Sequence, residues 1–418
     1  MMTFCEELFP INRSLLGEGN RKTLTYIASI LPELKVVEYP SGYKAYDWTV
    51  PYEWKIDEAY ISDLQGKRLI DFSENNLHVV GYSTPINEVI PFKKLKSNLF
   101  THDFLEDAIP YLTTYYNPTW GFCLTKNQLK LFNNDEDYHV VIKSKLEPGS
   151  LLSGEIYLPG ESKKEILLTT YICHPSMANN ELSGPAVLTA LTQWIAQKKN
   201  RHFSYRISFH SETIGALCYI QNHEIALKEN VVGAWNFTCM GGPGPITMLP
   251  SQYGASMPDK VTKISLAKLN HTPKIKDFLS RGSDERQFSS PRLKIPMVSV
   301  MKSAYGEYDE YHTSLDNLTF ISLKSLNESL SIMKEIISTL EEGKYFRQTF
   351  IGEAHMNKYG LYPTLEKPYT EINAREVMNI VQFCDGTNSI GDIAKILGIA
   401  KDNVDHAIGV LLENRIIE

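Results

Sequence analysis

Residues 171–184 read YICHPSMANNELSG, and this stretch decides the fold prediction. It ends the apolar run EILLTTYIC and delivers one histidine, His174, into a short polar loop that closes on Ser-Gly. A short, nearly continuous apolar run is typical of a strand that is buried on both faces of a sheet. An amphipathic helical pattern, LSGPAVLTALTQWIAQKK, follows the loop directly. The stretch therefore predicts a buried strand, a polar loop and a helix.

The same alternation of strand and helix continues along the chain. Three more short runs have the composition of buried strands: YRISFHSET, VVGAWNFTCMG and KIPMVSVMK. Residues 323–340 then carry apolar side chains at helical spacing on one face. Strands that alternate with helices predict an α/β fold whose sheet is covered by helices on both faces.

Changes in residue composition and pattern along the sequence predict four segments. Residues 1–38 form helices that belong to the α/β domain, and residues 39–148 form a β-rich inserted domain of short aromatic and β-branched runs between Pro, Gly and Asn breaks. Residues 149–347 form the main α/β domain, which carries the candidate site. Residues 348–418 show helix, turn, helix, turn, helix and a terminal strand, the pattern of a small winged-helix domain.

Composition narrows the class of protein. The chain has 418 residues, 43% of them hydrophobic and 22% charged, as in globular proteins of two or three domains. Its net charge of −7 argues against a broad nucleic-acid surface. No stretch resembles a signal peptide or a membrane span, and the six cysteines include no CxxC pair. We therefore expect a cytoplasmic protein with free thiols and no membrane partner.

Four residues with catalytic or metal-binding side chains lie near predicted strand ends: His174, Glu212, Asp284 and His312. Sites in open α/β sheets lie outside the carboxyl ends of the strands. Taken singly, His174 and Asp284 are more readily explained as parts of solvated loops, and Glu212 equally well as an acid at a helix N-terminus. His312, set among tyrosines and carboxylates, is unusual for a surface turn. Together, two histidines and several carboxylates form a ligand set that suits zinc. Glu212 is then the natural general base, because a carboxylate beside a metal can take a proton from bound water.

These residues also carry a resemblance to a known superfamily. Residues 150–346 resemble the zinc aminopeptidases, whose superfamily includes glutamate carboxypeptidases and glutaminyl cyclases. Those enzymes show a strand-end His, Asp-Asn-x-Ser-Gly, Glu-Glu-x-Gly, Ser-Asp and His-Thr-x-x-Asp, and the stretches that match are His174, NELSG (180–184), ETIG (212–215), SD (283–284) and HTSLD (312–316). The resemblance implies zinc ligands at His174, Asp284 and His312 and a general base at Glu212.

The whole chain resembles a bacterial family of peptidase-like proteins with an aminopeptidase-like domain, some of them linked to polysaccharide biosynthesis. Two positions depart from the superfamily pattern. Asn180 stands where two-zinc enzymes have a bridging aspartate, and Thr213 stands where they have a second glutamate ligand. Two dications repel unless anionic ligands neutralise them, so we expect one zinc ion and leave a second open. Glu181 would supply the lost carboxylate if the loop shifts; alternatively, Glu212 itself binds the metal.

The resulting prediction is a zinc-dependent hydrolase that cleaves an amide or peptide bond in a small substrate. Tyr308 and Tyr311 would shape the substrate pocket, and the inserted domain would cap it. One alternative is an amidase or deacylase that acts on a small metabolite or an amino sugar in polysaccharide biosynthesis. Another is a scaffold or regulator without catalysis that uses the winged helix, although the acidic balance disfavours nucleic acid as its partner. Assembly into a homo-oligomer is left open.

Overall fold

The computed structural model describes residues 1–362 and 373–418. The chain divides into two compact units, Met1–Ile336 and Ile337–Glu418. The strands of the first unit are β1 (Lys35–Pro40), β2 (Lys44–Ala45), β3 (Trp48–Thr49), β4 (Glu53–Ser62), β5 (Arg68–Asp71), β6 (Ile86–Pro91), β7 (Leu99–Phe100), β8 (Phe122–Cys123), β9 (Asp137–Glu147), β10 (Ser150–Leu158), β11 (Glu165–Tyr171), β12 (Ser204–His210), β13 (Val231–Phe237), β14 (Ile246–Leu249), β15 (Lys274–Ile275) and β16 (Met297–Lys302). The helices up to residue 342 are α1 (Met2–Leu8), α2 (Glu18–Ile30), α3 (Phe92–Leu95), α4 (Lys126–Leu129), α5 (Ser183–Ala196), α6 (Ile214–Asn230), α7 (Met257–Lys268), α8 (Glu285–Phe288) and α9 (Leu323–Glu342).

A mixed sheet organises the first unit. In the described part of the chain it has eight strands, in the order β1-β10-β12-β11-β13-β16-β14-β15. The four central strands β12, β11, β13 and β16 run parallel, whereas β10 and β14 run antiparallel to their inner neighbours. All seven residues of β11 are buried, which explains why its sequence does not alternate between apolar and charged residues. The predicted α/β fold is confirmed.

The strand order also places the candidate site. From β11 the chain crosses first to β12 on one side and later to β13 on the other. A crevice forms at the carboxyl ends of parallel strands where the winding changes side. His174 follows β11 and Glu212 follows β12, so the two residues leave neighbouring strands at the same edge of the sheet.

The β-rich segment leaves and rejoins the main sheet at one point. Pro40 at the end of β1 pairs directly with Ser150 at the start of β10, and residues 41–149, here called the insert, lie between them. Within the described residues the insert holds a four-stranded sheet in the order β5-β4-β9-β6. Its apolar core continues into Leu16 near the N-terminus and Ile214 of α6. The insert therefore packs around the same helix that begins beside Glu212.

The second unit has a core of its own. It comprises β17 (Tyr345–Arg347), α10 (Ala374–Gln382), β18 (Asp385–Ser389), α11 (Ile390–Leu397) and α12 (Lys401–Glu413), with β17 and β18 antiparallel. The Ser389 side chain and Asp392 form a capping box that starts α11, and Gly398 ends this helix in the left-handed conformation. Val377, Ile393 and other apolar side chains pack between the helices. This is the helical arrangement predicted for a winged helix.

Two predictions from composition can be compared with the structure. All six cysteines are free and buried, as expected for thiols outside a disulfide framework. In the ranges that the structure describes, no helix is both long enough and apolar enough to cross a membrane.

Candidate functional site

His174 lies between two carboxylates. Its Nδ1 is 2.9 Å from Oε2 of Glu181, and its Nε2 is 3.8 Å from Oε2 of Glu212. An ionised carboxylate only accepts hydrogen bonds, so the Glu181 contact assigns the Nδ1 hydrogen and directs Nε2 towards Glu212. Burial opposes protonation of His174, but the adjacent Cys173 and Glu181 outweigh it and raise the pKa of the imidazole well above its ordinary value. Without a bound metal these neighbours favour a proton on the ring, and a metal at Nε2 would take the place of that proton.

Glu181 is positioned by an irregular helical turn. Residues Ala178–Leu182 form a π-helical turn, a rare feature that is frequent at functional sites. The wider turn carries the buried Glu181 side chain to His174. The side-chain amide of Asn180 instead donates to the Tyr171 hydroxyl at 3.0 Å. Oδ1 of Asn180 is buried and has no hydrogen-bond partner in the described structure.

Arg13 is a part of the site that the sequence did not indicate. Its guanidinium is completely enclosed, with Nε 3.7 Å from Oε1 of Glu181. Nε also donates to the carbonyl oxygen of His174 at 2.9 Å, and Nη1 donates to the carbonyl of Leu8 at 2.7 Å. The arginine thus holds both the backbone of His174 and the carboxylate that orients its ring.

Arg13→Met is expected to lower the free energy of unfolding by about 3–5 kcal/mol, because removing one partner of a buried pair leaves the Glu181 charge uncompensated. Urea unfolding of the full chain measures the change. Arg13→Met combined with Glu181→Gln should recover part of the loss. Arg68→Met, which breaks a surface ion pair, is the matched control. Equal losses in the Arg13 and Arg68 variants would contradict a special role for the buried pair.

Glu212 is carried by a strained turn. Thr213 has φ 63° and ψ −77°, and the amide of Ile214 donates to the carbonyl of Glu212 at 2.8 Å. These are the features of a γ-turn of the rare, strained form, here centred on a β-branched residue. Burial raises the pKa of Glu212 to about 7, with His174 lowering it and Asp284 raising it. The turn therefore holds a carboxyl group that can change protonation state near neutral pH.

Asp284 anchors that turn. Its Oδ1 accepts from the amide of Thr213 at 2.8 Å, and its Oδ2 lies 3.1 Å from Nε2 of His210. Nδ1 of His210 is in turn 2.8 Å from the Ser208 hydroxyl. The side chains of His210 and Asp284 are fully buried. The structure thus brings Asp284 to Glu212 through Thr213, while the predicted role of Asp284 as a metal ligand stays a prediction.

His312 approaches His174 from the late motif. The centres of the two imidazole rings are 5.5 Å apart. Nε2 of His312 is buried and has no hydrogen-bond partner among the described residues. Burial and the nearby His174 lower the pKa of His312 to about 3, so its imidazole is neutral at physiological pH. A neutral, buried nitrogen with a free lone pair is suited to binding a metal ion.

Asp316, the acid at the end of the HTSLD motif, supports the loop that carries Glu181. Oδ1 of Asp316 accepts from the amide of Asn179 at 2.6 Å, and Oδ2 accepts from the amide of Asn180 at 2.9 Å. The Tyr308 hydroxyl donates to Oδ2 at 2.9 Å. Asp316 therefore ties its motif to the turn that carries Glu181.

The two tyrosines predicted to bind substrate occupy different places. The Tyr308 hydroxyl is engaged by Asp316, and its ring stacks on Phe320 at 5.0 Å. The ring of Tyr311 lies flat on His312, 4.0 Å between centres and 16° between planes. Tyr311 is thus in direct contact with a candidate ligand, and the substrate-binding role of both tyrosines stays a prediction.

The insert contributes a third tyrosine to the site. The ring centre of Tyr111 is 5.4 Å from the ring centres of both His174 and His312. Its amide donates to the carbonyl of His312 at 2.8 Å, and Pro110 and Thr313 form an antiparallel bridge. Sequence reasoning missed Tyr111; its only signal was the tyrosine-rich run PYLTTYYN within the insert.

Some of the donors that a metal site needs are present. Two ligands of one tetrahedral zinc lie about 3.3 Å apart, since each bond measures about 2.0–2.1 Å. Nε2 of His174 lies 3.8 Å from Oε2 of Glu212, and the unpartnered Nε2 of His312 belongs to the neighbouring ring. Within the described residues, however, His174, Asp284 and His312 do not bring three ligand atoms within 4.8 Å of one another. Nε2 of His312 is therefore open to a metal, and Nε2 of His174 becomes so when it carries no hydrogen.

A second group of candidate ligands lies closer together but is chemically less suited to a metal ion. In the described parts of the chain, Cys173, His174 and Glu181 offer ligand atoms within 4.8 Å of one another. Burial raises the pKa of Cys173 to about 11, so this thiol would have to release a proton in order to bind a metal. The guanidinium of Arg13 beside Glu181 also repels a cation. Glu181 is placed to orient His174, a role that carboxylates commonly have behind metal-binding histidines, and its predicted role as a metal ligand stays a prediction.

The fold and the residues at its strand ends define an α/β protein of aminopeptidase-like class with a C-terminal winged helix. Residues 2–343 match the family described as "Domain of unknown function (DUF4910)", and residues 344–418 match a "winged helix-turn-helix" family. The chain belongs to the DUF4910 family. It is 41% identical over 411 residues to a Clostridium acetobutylicum protein described as "Putative polysaccharide biosynthesis protein with aminopeptidase-like domain", with 97% of this chain and 93% of the relative covered.

The solved structures that resemble the chain include the following two. One is a "putative peptidase" from Clostridium acetobutylicum, 38% identical, with a TM-score of 0.81 over 100% of this chain and 95% of that chain. The other is a zinc aminopeptidase from Bacillus subtilis, with a TM-score of 0.60 over 82% of this chain and 94% of that chain. At 12% identity, the second likeness concerns the fold alone.

Proposed function

We propose that this protein is a zinc-dependent hydrolase of amide bonds, with His174 and His312 as ligands of a single ion. The observation that carries the proposal is the environment of His174. Glu181 takes its Nδ1 hydrogen and leaves Nε2 facing Glu212, and the unpartnered nitrogen of His312 belongs to the next ring. The peptidase-like relatives and the aminopeptidase-like fold support a hydrolase.

Two carboxylates lie next to Thr213: Glu212 precedes it in the chain, and Asp284 accepts a hydrogen bond from its amide. They take different roles in this proposal. Glu212 is the general base, because its side chain is 21% exposed and its Oε2 lies 3.8 Å from Nε2 of the candidate ligand His174. Asp284 is the carboxylate ligand. A carboxylate oxygen has two lone pairs, so the bonds from Thr213 and His210 still leave Asp284 with capacity to bind a metal.

Bound zinc would polarise the amide carbonyl and activate a water molecule. Glu212 would accept a proton from that water at its carboxylate and pass it to the leaving amine. Glu181 would hold Nδ1–H of His174, and Arg13 would hold Glu181, which together keep the imidazole in one orientation. The rings of Tyr111 and Tyr311 against the histidines would limit access of bulk water.

A second candidate substrate is an N-acylated amino sugar, whose amide bond calls for the same chemistry. The observation that favours it is the relative's description as a polysaccharide biosynthesis protein. The two candidates differ in the group attached to the amide and not in the residues that would act on it.

A substrate panel tests the proposal. Zinc-loaded protein is offered aminoacyl arylamides and N-acetylated amino sugars, and release of amine or acetate is measured before and after dialysis against a chelator. We expect hydrolysis in at least one class, loss of activity on chelation and recovery with one equivalent of zinc per chain. Absence of turnover in both classes from protein that binds one zinc tightly would argue against an amide hydrolase.

A further inference from the structure

A second concave site lies on the insert side of α6. The tip of the β2–β3 hairpin, one flank of α6 and the loop after α8 enclose a groove of about 480 Å³. The hairpin contributes Tyr46 and Trp48 to one wall, and Gln287 and Arg292 line the opposite one. This volume is within the usual range for small-molecule sites, which combine apolar surface with a few polar groups.

The hairpin tip is fixed rather than loosely exposed. The amide of Tyr46 donates to Oε1 of Gln221 at 2.9 Å, and its hydroxyl donates to Oε2 of Glu224 at 2.8 Å. Tyr46 also has φ 57°, the left-handed region that bulky residues rarely adopt. A tyrosine held in this conformation by two contacts to α6 is a pre-positioned side chain, and such outliers cluster at ligand-binding sites.

The two aromatic residues on the hairpin remain open to solvent. Tyr46 is 48% exposed and Trp48 is 41% exposed. The Trp48 ring leans edge-on against Tyr116, 6.4 Å between centres, and Tyr116 donates its hydroxyl hydrogen to the carbonyl of Thr49 at 3.1 Å. The hairpin therefore presents exposed aromatic side chains that are held in place, and such side chains commonly bind amphipathic ligands.

A carboxylate and a guanidinium, those of Asp47 and Arg292, line the groove. Among the described residues neither makes a hydrogen bond or an ion pair, although Arg292 is close enough to Glu224 to stabilise the charge of that carboxylate. Asp47 offers only acceptors and Arg292 only donors. With Glu224 and Lys228, also in the lining, the formal charges balance, so the groove has no excess charge to attract a phosphate or a polyanion.

We propose that this groove binds an uncharged carbohydrate chain. A sugar ring has an apolar face of C–H groups that suits the rings of Tyr46 and Trp48, and every hydroxyl is both donor and acceptor, which matches Arg292 and Asp47 together. A phosphate would find no net positive charge in the lining, and an apolar peptide would leave Asp47 without a hydrogen-bond partner.

The groove begins close to the candidate catalytic residues. Leu217, at its near end, is four residues after Thr213, which is about 6 Å along a helix. Lys228, also in the lining, is 15 residues after Thr213, or about 22 Å. A chain bound along α6 therefore starts about one helical turn from the turn that carries Glu212. Carbohydrate binding here goes beyond amide hydrolysis and does not require it.

The test measures binding of the N-acetylglucosamine tetramer to the full chain by titration calorimetry. We expect saturable binding, weakened at least tenfold in Trp48→Ala and in Arg292→Ala. Trp194→Ala is the matched control, because Trp194 lies outside the groove lining and packs against Lys198 and Lys334. It should change the affinity less than twofold. Trp48→Phe and Arg292→Lys should bind with intermediate affinity, and thermal melting verifies that each variant is folded.

Two comparisons make the outcome decisive. Tetra-alanine and uridine diphosphate are titrated in parallel; absence of tetramer binding, or tighter binding of either competitor in a Trp48-dependent way, would overturn the carbohydrate assignment. His174→Ala should bind the tetramer with wild-type affinity, although this variant no longer hydrolyses amide bonds. Loss of tetramer binding in His174→Ala would place the sugar at the metal site instead of in the groove. Failure of the hydrolase proposal would leave the binding result unchanged.

Discussion

His312→Ala is expected to abolish zinc retention and amide hydrolysis together. The side chain supplies a neutral, buried nitrogen without a partner in the described structure, next to the ring of His174. Three protein ligands are usual for catalytic zinc, and loss of one imidazole leaves too few to hold the ion through gel filtration. Zinc per chain is measured by elemental analysis, with hydrolysis followed on the same samples.

The control for this variant is His139→Ala, which removes a surface histidine that contacts Asn87 on the insert. It should keep both zinc and activity at wild-type levels. Retention of a full equivalent of zinc by both His312→Ala and Asp284→Ala would show that the metal is held elsewhere, and the ligand assignment would then be wrong.

Glu212→Gln is expected to lower kcat about 10²–10⁴-fold while zinc content stays at one per chain. The amide has nearly the shape of the carboxylate but cannot accept the proton that hydrolysis releases. Two measurements therefore separate the roles of this residue: zinc content reports on metal binding, and kcat reports on proton transfer.

The isosteric change Asp284→Asn provides the comparison for Glu212→Gln. Asp284 accepts from Thr213 and His210, so the asparagine should weaken zinc binding and loosen the γ-turn. If Glu212→Gln loses its zinc while Asp284→Asn retains it, Glu212 is the ligand and the two carboxylates exchange roles. Unchanged kcat in Glu212→Gln would exclude it as the general base.

Strand-end residues were the part of the site that sequence could predict. His174 and Glu212 follow β11 and β12, whose apolar runs are recognisable because these strands are buried in the centre of the sheet. Parallel neighbours end at the same edge, so the pattern alone indicated that the two side chains would be near one another. In the structure, Nε2 of His174 is 3.8 Å from Oε2 of Glu212.

The position of Glu181 shows where such prediction stops. One residue more or less in a turn decides whether Asn180 or Glu181 faces His174, and a π-helical turn has no reliable sequence signature. The resemblance to two-zinc enzymes assigned the bridging position to Asn180. In the structure the side-chain amide of Asn180 donates to Tyr171, and the carboxylate of Glu181 reaches the histidine.

The sequence by itself determined the α/β class, the C-terminal helical unit and the order of the motif residues, because periodicity and strand-end composition are local properties. Only the tertiary structure decided that Arg13 would lie behind Glu181, that Tyr111 of the insert would cover both histidines and that His210 would hold Asp284. These contacts join residues separated by 63 to 201 positions, as the residue numbers show (174 − 111 and 312 − 111). They depend on how distant elements pack, and local pattern does not encode that packing.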